Sequence, residues 1–214
     1  VLYDSAADYN SGVHDAFVAA AADDGLEVVA DEAYTTDSNT DYSVQLAKIK
    51  KSGAELLFLP NYYSDNALIL QQASEAGMDI KFFGVDGMDG ILTLEGFDTS
   101  LAEGVMLLTP FNADATDEKT QSFVTKYQEL YGDVPNQFAA DAYDCVYAYK
   151  AALEASGATA DMSAEELCDK MIEAFPTLTY DGLTGTGITW DSTGAVSKTP
   201  KGMVIKNGAY VGME

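Results

Sequence analysis

Strand-length apolar runs alternate with helix-spaced runs through the first half of this chain, and glycines mark the changes. Residues 1–4 read as a strand tip. Val13, Phe17, Ala20 and Ala21 fall at helical spacing, and Gly25 ends that run. A strand over 26–33 follows, then a short amphipathic helix over 42–51 with Val44, Leu46 and Ile49 apolar and Gly53 as its stop. Residues 54–59 make a buried strand, 65–76 a helix closed by Gly77, and 81–85 and 104–108 two more strands. This rhythm predicts right-handed βαβ units and a parallel, doubly wound sheet, an α/β fold.

The rhythm breaks after Pro110. The spacing there predicts helices over 117–130, 138–156 and 164–174, the last opened by the capping box Ser163-Ala-Glu-Glu166. Short strand-like pieces follow at 187–190, 201–206 and 209–213, and Asn207-Gly208 between the last two is a hairpin turn signal. Three helices with almost no strands of their own need a sheet to cover. We therefore expect the middle segment to complete a second lobe whose sheet is missing from these residues, the chain beginning mid-protein.

Charge excludes some partners. The 35 acids stand against 11 bases, all of them lysine, for a net charge of −24. Nucleic acid needs clustered cations to displace counterions, so it is excluded, and anionic membrane surfaces are disfavoured for the same reason. The acidic balance reads as a solvated surface. No apolar run reaches the length that spans a bilayer. Cys145 and Cys168 are too few for a disulfide scaffold; one bridge between packed helices is an alternative to two buried thiols, and buried thiols are the expectation.

The chemistry concentrates in Phe82-Phe83-Gly84-Val85-Asp86-Gly87-Met88-Asp89-Gly90. A strand runs into glycines with a carboxylate at its C-terminal end, where open α/β sheets bind ligands. No Lys or Arg neighbours Asp86 in sequence, so the acid suits a ligand cation such as an amine. Tyr9 and Tyr62-Tyr63 stand at equivalent strand ends. Each has a structural alternative. Asp86 before Gly can be a turn former, Tyr9 a helix-entry staple, and Tyr62 a strand-end aromatic under the next helix with Tyr63 as the packer; Phe138 begins a helix apolar on one face, which suits a core residue.

Other patterns carry less. Asp37-Ser-Asn39-Thr-Asp41 has the early oxygen spacing of a calcium loop, but Tyr42 and Lys48 occupy the positions that need Gly and Glu. Gly182-Leu-Thr-Gly185-Thr-Gly187 lacks a strand-to-helix setting for phosphate. His14 reads as lying on a polar flank of the first helix, and Asp65, Asp141 and Asp144 as caps and solvated faces; Trp190 is expected to pack. No triad, zinc site, dinucleotide fingerprint, nucleophile elbow or phosphate loop assembles, so no catalytic residue, metal or cofactor is expected.

In order and spacing, several segments resemble the type I periplasmic binding proteins, the leucine/isoleucine/valine-binding branch that feeds ABC importers. They are Tyr3-Asp4-Ser5-Ala6-Ala7-Asp8-Tyr9-Asn10-Ser11-Gly12, Asp41-Tyr42-Ser43-Val44-Gln45-Leu46-Ala47-Lys48-Ile49-Lys50 and Asn61-Tyr62-Tyr63-Ser64-Asp65. Phe83-Gly84-Val85-Asp86-Gly87, Glu103-Gly104-Val105 and Pro135-Asn136-Gln137-Phe138-Ala139-Ala140-Asp141-Ala142-Tyr143-Asp144 continue the series. The resemblance implies a two-lobed α/β fold closing on its ligand like a clamshell. Residues 1–109 would form lobe 2, 110–198 the returning part of an incomplete lobe 1, and 199–214 strands returning to lobe 2. It further implies a binding protein rather than an enzyme, taking an amino acid with Tyr9, Tyr62, Asp86 and Phe138. Asp86 would receive the α-ammonium group. The part of lobe 1 that holds the ligand carboxylate in the family has no counterpart here. The implied partner is an ABC permease. The implied place is periplasmic or extracellular, with a lipid anchor as one option, and a missing N-terminal segment or another chain would complete lobe 1. A ligand sensor of the same fold and a doubly wound α/β enzyme stay as alternatives.

Overall fold

The computed structural model describes residues 1–213, which divide into two compact units, 1–109 with 202–213, and 110–201.

The first unit holds a two-stranded and a five-stranded sheet with helices packed on them. Its strands are β1 (Leu2–Asp4), β2 (Glu32–Tyr34), β3 (Leu56–Leu59), β4 (Lys81–Gly84), β5 (Met106–Thr109), β6 (Lys201–Lys206) and β7 (Ala209–Gly212). Strand β1 pairs in parallel with β2, and β3, β4 and β5 pair in parallel in that order. Strand β1 also lies beside β3. The order β2-β1-β3-β4-β5 reverses direction between β1 and β3, and that reversal makes the switch point at which such sheets take ligands.

Helices α1 (Asp8–Asp23), α2 (Ser43–Ser52) and α3 (Tyr63–Glu75) cover the sheet. Side chains on a strand alternate between faces, so neighbouring residues go to different cores. Leu57 and Leu59 join Leu46 and Ile49 of α2 and Ile69, Leu70 and Ala73 of α3. Phe58 points the other way and stacks on Phe17 of α1 at 4.0 Å between centroids, with Val1, Val85 and Phe83 around it. The left-handed Gly53 (φ 77°) closes α2. Helix α1 carries one departure from expectation. His14 is buried, its ring stacks on Tyr3 at 3.8 Å, and its nitrogens lie 2.8 Å from Asp15 and 3.0 Å from Asp31.

Two strand assignments change. The strand expected over 26–33 reduces to Glu32–Tyr34, because only there does the backbone meet β1; Val28 instead packs beside Val1 and Phe58. The piece at 187–190 is no strand, only the isolated bridges Tyr180–Ile188 and Trp190–Val196. The Asn207-Gly208 hairpin is present, with φ of 52° and 74°, the positive values a tight two-residue turn demands. It adds an antiparallel pair to the sheet that holds the parallel strands β3, β4 and β5.

The second unit holds helices α4 (Glu118–Tyr131), α5 (Gln137–Ser156) and α6 (Ala164–Ala174), close to the expected ranges. The Ser163–Glu166 capping box opens α6. Asp144 is not a solvated cap. It is buried on α5 and accepts Leu183 N–H, Thr184 N–H and the Thr184 hydroxyl, each at 2.8 Å, and it gathers the Tyr180 hydroxyl at 3.3 Å. Gly182 passes so close to this carboxylate that a Cβ there would collide with it. Asp141 pairs with Lys198 at 2.6 Å, and Trp190 packs edge-on to Phe175. Cys145 and Cys168 are free and exposed rather than buried, because both lie on the open sides of α5 and α6. Among the described residues no helix is long and apolar enough to cross a membrane.

Candidate functional site

The C-terminal ends of β1, β3 and β4 bring three of the four expected residues to one edge of the first unit. Asp86 opens a 3₁₀ turn, Asp86–Met88, directly after β4. Met88 N–H bonds to Val85 O and Asp89 N–H to Asp86 O, both at 3.0 Å, so the turn is closed at each end. Tyr9, in the first turn of α1, donates its hydroxyl to Asp86 Oδ1 at 2.5 Å and accepts Gly87 N–H at 3.1 Å. Burial, and then the bond to Asp86, push the Tyr9 phenol well above the ordinary tyrosine range. At neutral pH it is therefore a fixed donor to the carboxylate.

Tyr62 forms the flank. It precedes α3 as its N-cap, and its ring lies 5.0 Å from that of Tyr9, tilted by 31°. It is 44% exposed, whereas Tyr63 packs against the main core. A carboxylate beside two aromatic rings is an arrangement that receives a cation, by charge and by the ring faces together. Phe138 belongs to the second unit, in the first turn of α5, where it is 38% exposed; the Asn136 cap accepts Ala139 N–H at 3.2 Å beside it.

Several residues that shape this edge were not singled out in the sequence. Asn61 is fully buried between β1 and β3. Its Oδ1 accepts Asp4 N–H at 3.2 Å and Asn10 Nδ2 at 2.9 Å, and its Nδ2 donates to Leu2 O at 2.9 Å. The side-chain amide thus stands where a ladder bond would be, and it fixes the two strand ends to each other. Gly87 is needed for close approach: a Cβ there would stand 3.0 Å from both Asn61 O and the Tyr9 hydroxyl. Asp4 accepts Ala6 N–H at 2.9 Å and the Thr36 hydroxyl at 2.7 Å. Asp65 is no solvated cap either, since it accepts the Tyr34 hydroxyl at 2.8 Å and Asn39 at 3.3 Å. Both acids are therefore committed to holding loops. The doubled Asp-Gly in residues 86–90 was the one available sequence signal for this backbone geometry.

A carboxylate and paired aromatics at the switch-point edge of a doubly wound sheet stand where open α/β sheets take small ligands. Residues 1–209 match the family described as periplasmic binding protein, and the chain belongs to that family. It is 25% identical over 185 residues to the leucine-, isoleucine-, valine-, threonine- and alanine-binding protein of Pseudomonas aeruginosa, covering 86% of this chain and 47% of that one. It is 30% identical to Leu/Ile/Val-binding protein homolog 3 of Brucella melitensis, covering 84% of this chain and 49% of that one. Among solved structures it is similar to the branched-chain amino acid transporter substrate-binding protein of Streptococcus pneumoniae in complex with isoleucine. There the TM-score is 0.80 at 26% identity, over 99% of this chain and 59% of the other. An extracellular ligand-binding receptor from Rhodopseudomonas palustris shares the fold with a TM-score of 0.85 at 18% identity, over 100% and 62%. The chain thus spans about half the length of these curated relatives. They are named as binding proteins, not as enzymes.

Proposed function

We propose that this chain is part of an extracytoplasmic solute receptor that takes a branched-chain or similar amino acid for an ABC importer. The observation that carries the reading is the Tyr9–Asp86–Gly87 bond set at the switch-point edge, with Tyr62 beside it. The ligand ammonium goes to Asp86, whose charge is steadied by the Tyr9 phenol. A buried ammonium–carboxylate pair is favourable only when further hydrogen bonds satisfy both ions, and the fixed phenol supplies one. Tyr62 lies against the ligand, and Phe138 is the contribution of the second unit. The names of the relatives support the ligand class.

In this reading residues 1–109 and 202–213 are one lobe, and 110–201 are the returning part of the other. A preceding segment, or another chain, supplies the sheet that the second unit lacks. Exposed Val146, Tyr149 and Leu153 on α5 support that requirement. Ligand binding favours the closed form by its higher affinity for that form, which then docks on a membrane permease. The receptor works in the periplasm or outside the cell, with or without a lipid anchor.

Isothermal titration of the full-length protein with the twenty amino acids tests this. L-leucine, L-isoleucine or L-valine should bind, Asp86→Ala should weaken that binding by about 100-fold or more, and Tyr62→Ala by about ten-fold. Binding that survives Asp86→Ala removes the ammonium assignment. Binding of none of the twenty removes the amino-acid reading.

A further inference from the structure

Residues 86–90 read Asp-Gly-Met-Asp-Gly, and in each Asp-Gly pair a tyrosine hydroxyl accepts the glycine N–H. At the first pair the Tyr9 hydroxyl donates to Asp86 and accepts Gly87 N–H. At the second the Tyr210 hydroxyl accepts Gly90 N–H at 3.2 Å, and the Asp89 carboxylate lies close to the phenol. The phenols come from α1 and from β7, near opposite ends of the chain. Between the two pairs lies one 3₁₀ turn, fixed by the bond from Asp89 N–H to Asp86 O.

Each member of the second grip is constrained. Asp89 is 4% exposed, and the Tyr210 ring packs against the main core of the first unit. Gly90 has φ 107°, a backbone state that glycine alone adopts readily, and the chain turns away from the site there. Burial first, and then the neighbouring Asp89, push the Tyr210 phenol above its ordinary range, so it stays a donor at neutral pH. A turn of three residues transmits a shift at one end to the other, because its two closing bonds leave little slack.

We propose that Tyr210 is a positioning residue for the ligand site: by pinning Asp89 and Gly90 it fixes the far end of the turn whose near end carries Asp86. This rests on Asp86 being the ammonium anchor. Tyr210 acts through the turn and does not touch the ligand.

Tyr210→Phe in the full-length protein keeps the packed ring and removes the hydroxyl. With glycine ¹⁵N-labelled, amide exchange at Gly90 should quicken about ten-fold or more. The decisive readout is Gly87, whose amide is bonded to Tyr9 and not to Tyr210; it should quicken several-fold as well. Affinity for L-leucine or L-isoleucine, whichever binds, should fall about ten-fold. Faster exchange at Gly90 alone, with Gly87 and affinity within two-fold of the unsubstituted protein, overturns the proposal. If the unsubstituted protein binds none of the twenty amino acids, the amino-acid reading falls and Gly87 alone decides: quickening supports the grip, no change overturns it. Should Tyr210→Phe fail to fold, Asp89→Asn carries the same test, since it removes the anionic acceptor and leaves the ring in place.

Discussion

Helix α3 of the first unit and helix α5 of the second bury different things, although α5 is the richer in apolar residues. Helix α3 puts Ile69 and Leu70 into the core, with Ala67 and Ala73 beside them. Helix α5 buries Ala140, Ala148 and Ala152 and leaves Val146, Tyr147, Tyr149 and Leu153 outside. Its small residues face the other helices while its large ones face outward. The second unit also holds an open cavity of about 870 Å³ between α5 and α6, lined by Tyr149, Leu153, Met171, Phe175 and Trp190. Large side chains are selected for burial, so a face of this kind marks a surface that needs a cover. The first unit is organised by its sheet, whereas the described part of the second is organised by a polar clamp, Asp144, with alanines between helices.

The largest expected effect tests that contrast directly. Asp144→Ala strands two buried backbone N–H groups and a hydroxyl, and should cost about 3–5 kcal/mol in the second unit. Leu57→Ala opens a cavity in the first unit and should cost about 2–5 kcal/mol there. Hydrogen exchange reads each unit separately. Asp144→Ala should speed exchange in residues 110–201, and Leu57→Ala in 1–109. Equal acceleration across both units from either substitution would mean that they unfold as one and would break the comparison.

A smaller effect sharpens it. The 214-residue chain should enhance the fluorescence of a hydrophobic dye. Paired Val146→Gln and Tyr149→Gln should cut that signal several-fold while leaving helicity unchanged, since both side chains already face outward. An unchanged signal would place the dye site in the first unit and remove the case for an uncovered face on α5.

The same contrast governs what could be read from sequence. The first unit's architecture was legible because β3 and β4 are short apolar runs and Gly53 and Gly77 stop the helices that precede them. The second unit's helices were legible from spacing and from the Ser163 cap, but what they lean on was not, because spacing says which side is apolar and not what meets it. The thiols show this: Cys145 and Cys168 lie on apolar helices, which suggested burial, yet they are exposed. Asp86 stood out by its place at a strand end. Asn61, Gly87 and Tyr210 did not, because their roles are made by chain segments that meet only on folding. His14 was misplaced for the same reason, since its partner Asp31 lies on a loop that reaches it only in three dimensions.

The smallest effect, about 1 kcal/mol, concerns the phenols that tie the first unit's loops. Tyr9, Tyr34 and Tyr210 all have pKa values pushed above the ordinary range, first by burial and then by Asp86, Asp65 and Asp89 respectively. A folded-state pKa above the unfolded one means that the folded state keeps its proton where the unfolded state has lost it. Unfolding then releases protons, so the stability these groups contribute is complete below pH about 10 and is lost progressively as pH rises beyond it. Denaturant melts of the full-length protein at pH 8 and pH 11 measure the loss. Tyr9→Phe should lose less between those two values than the unsubstituted protein, because one group with a raised pKa is gone. Asp86→Asn provides the companion test: it removes the charge beside the Tyr9 phenol and should likewise reduce the alkaline loss. If neither substitution reduces the loss, the alkaline weakness is spread over the molecule, and the tie between Tyr9 and Asp86 is not what holds this edge in shape.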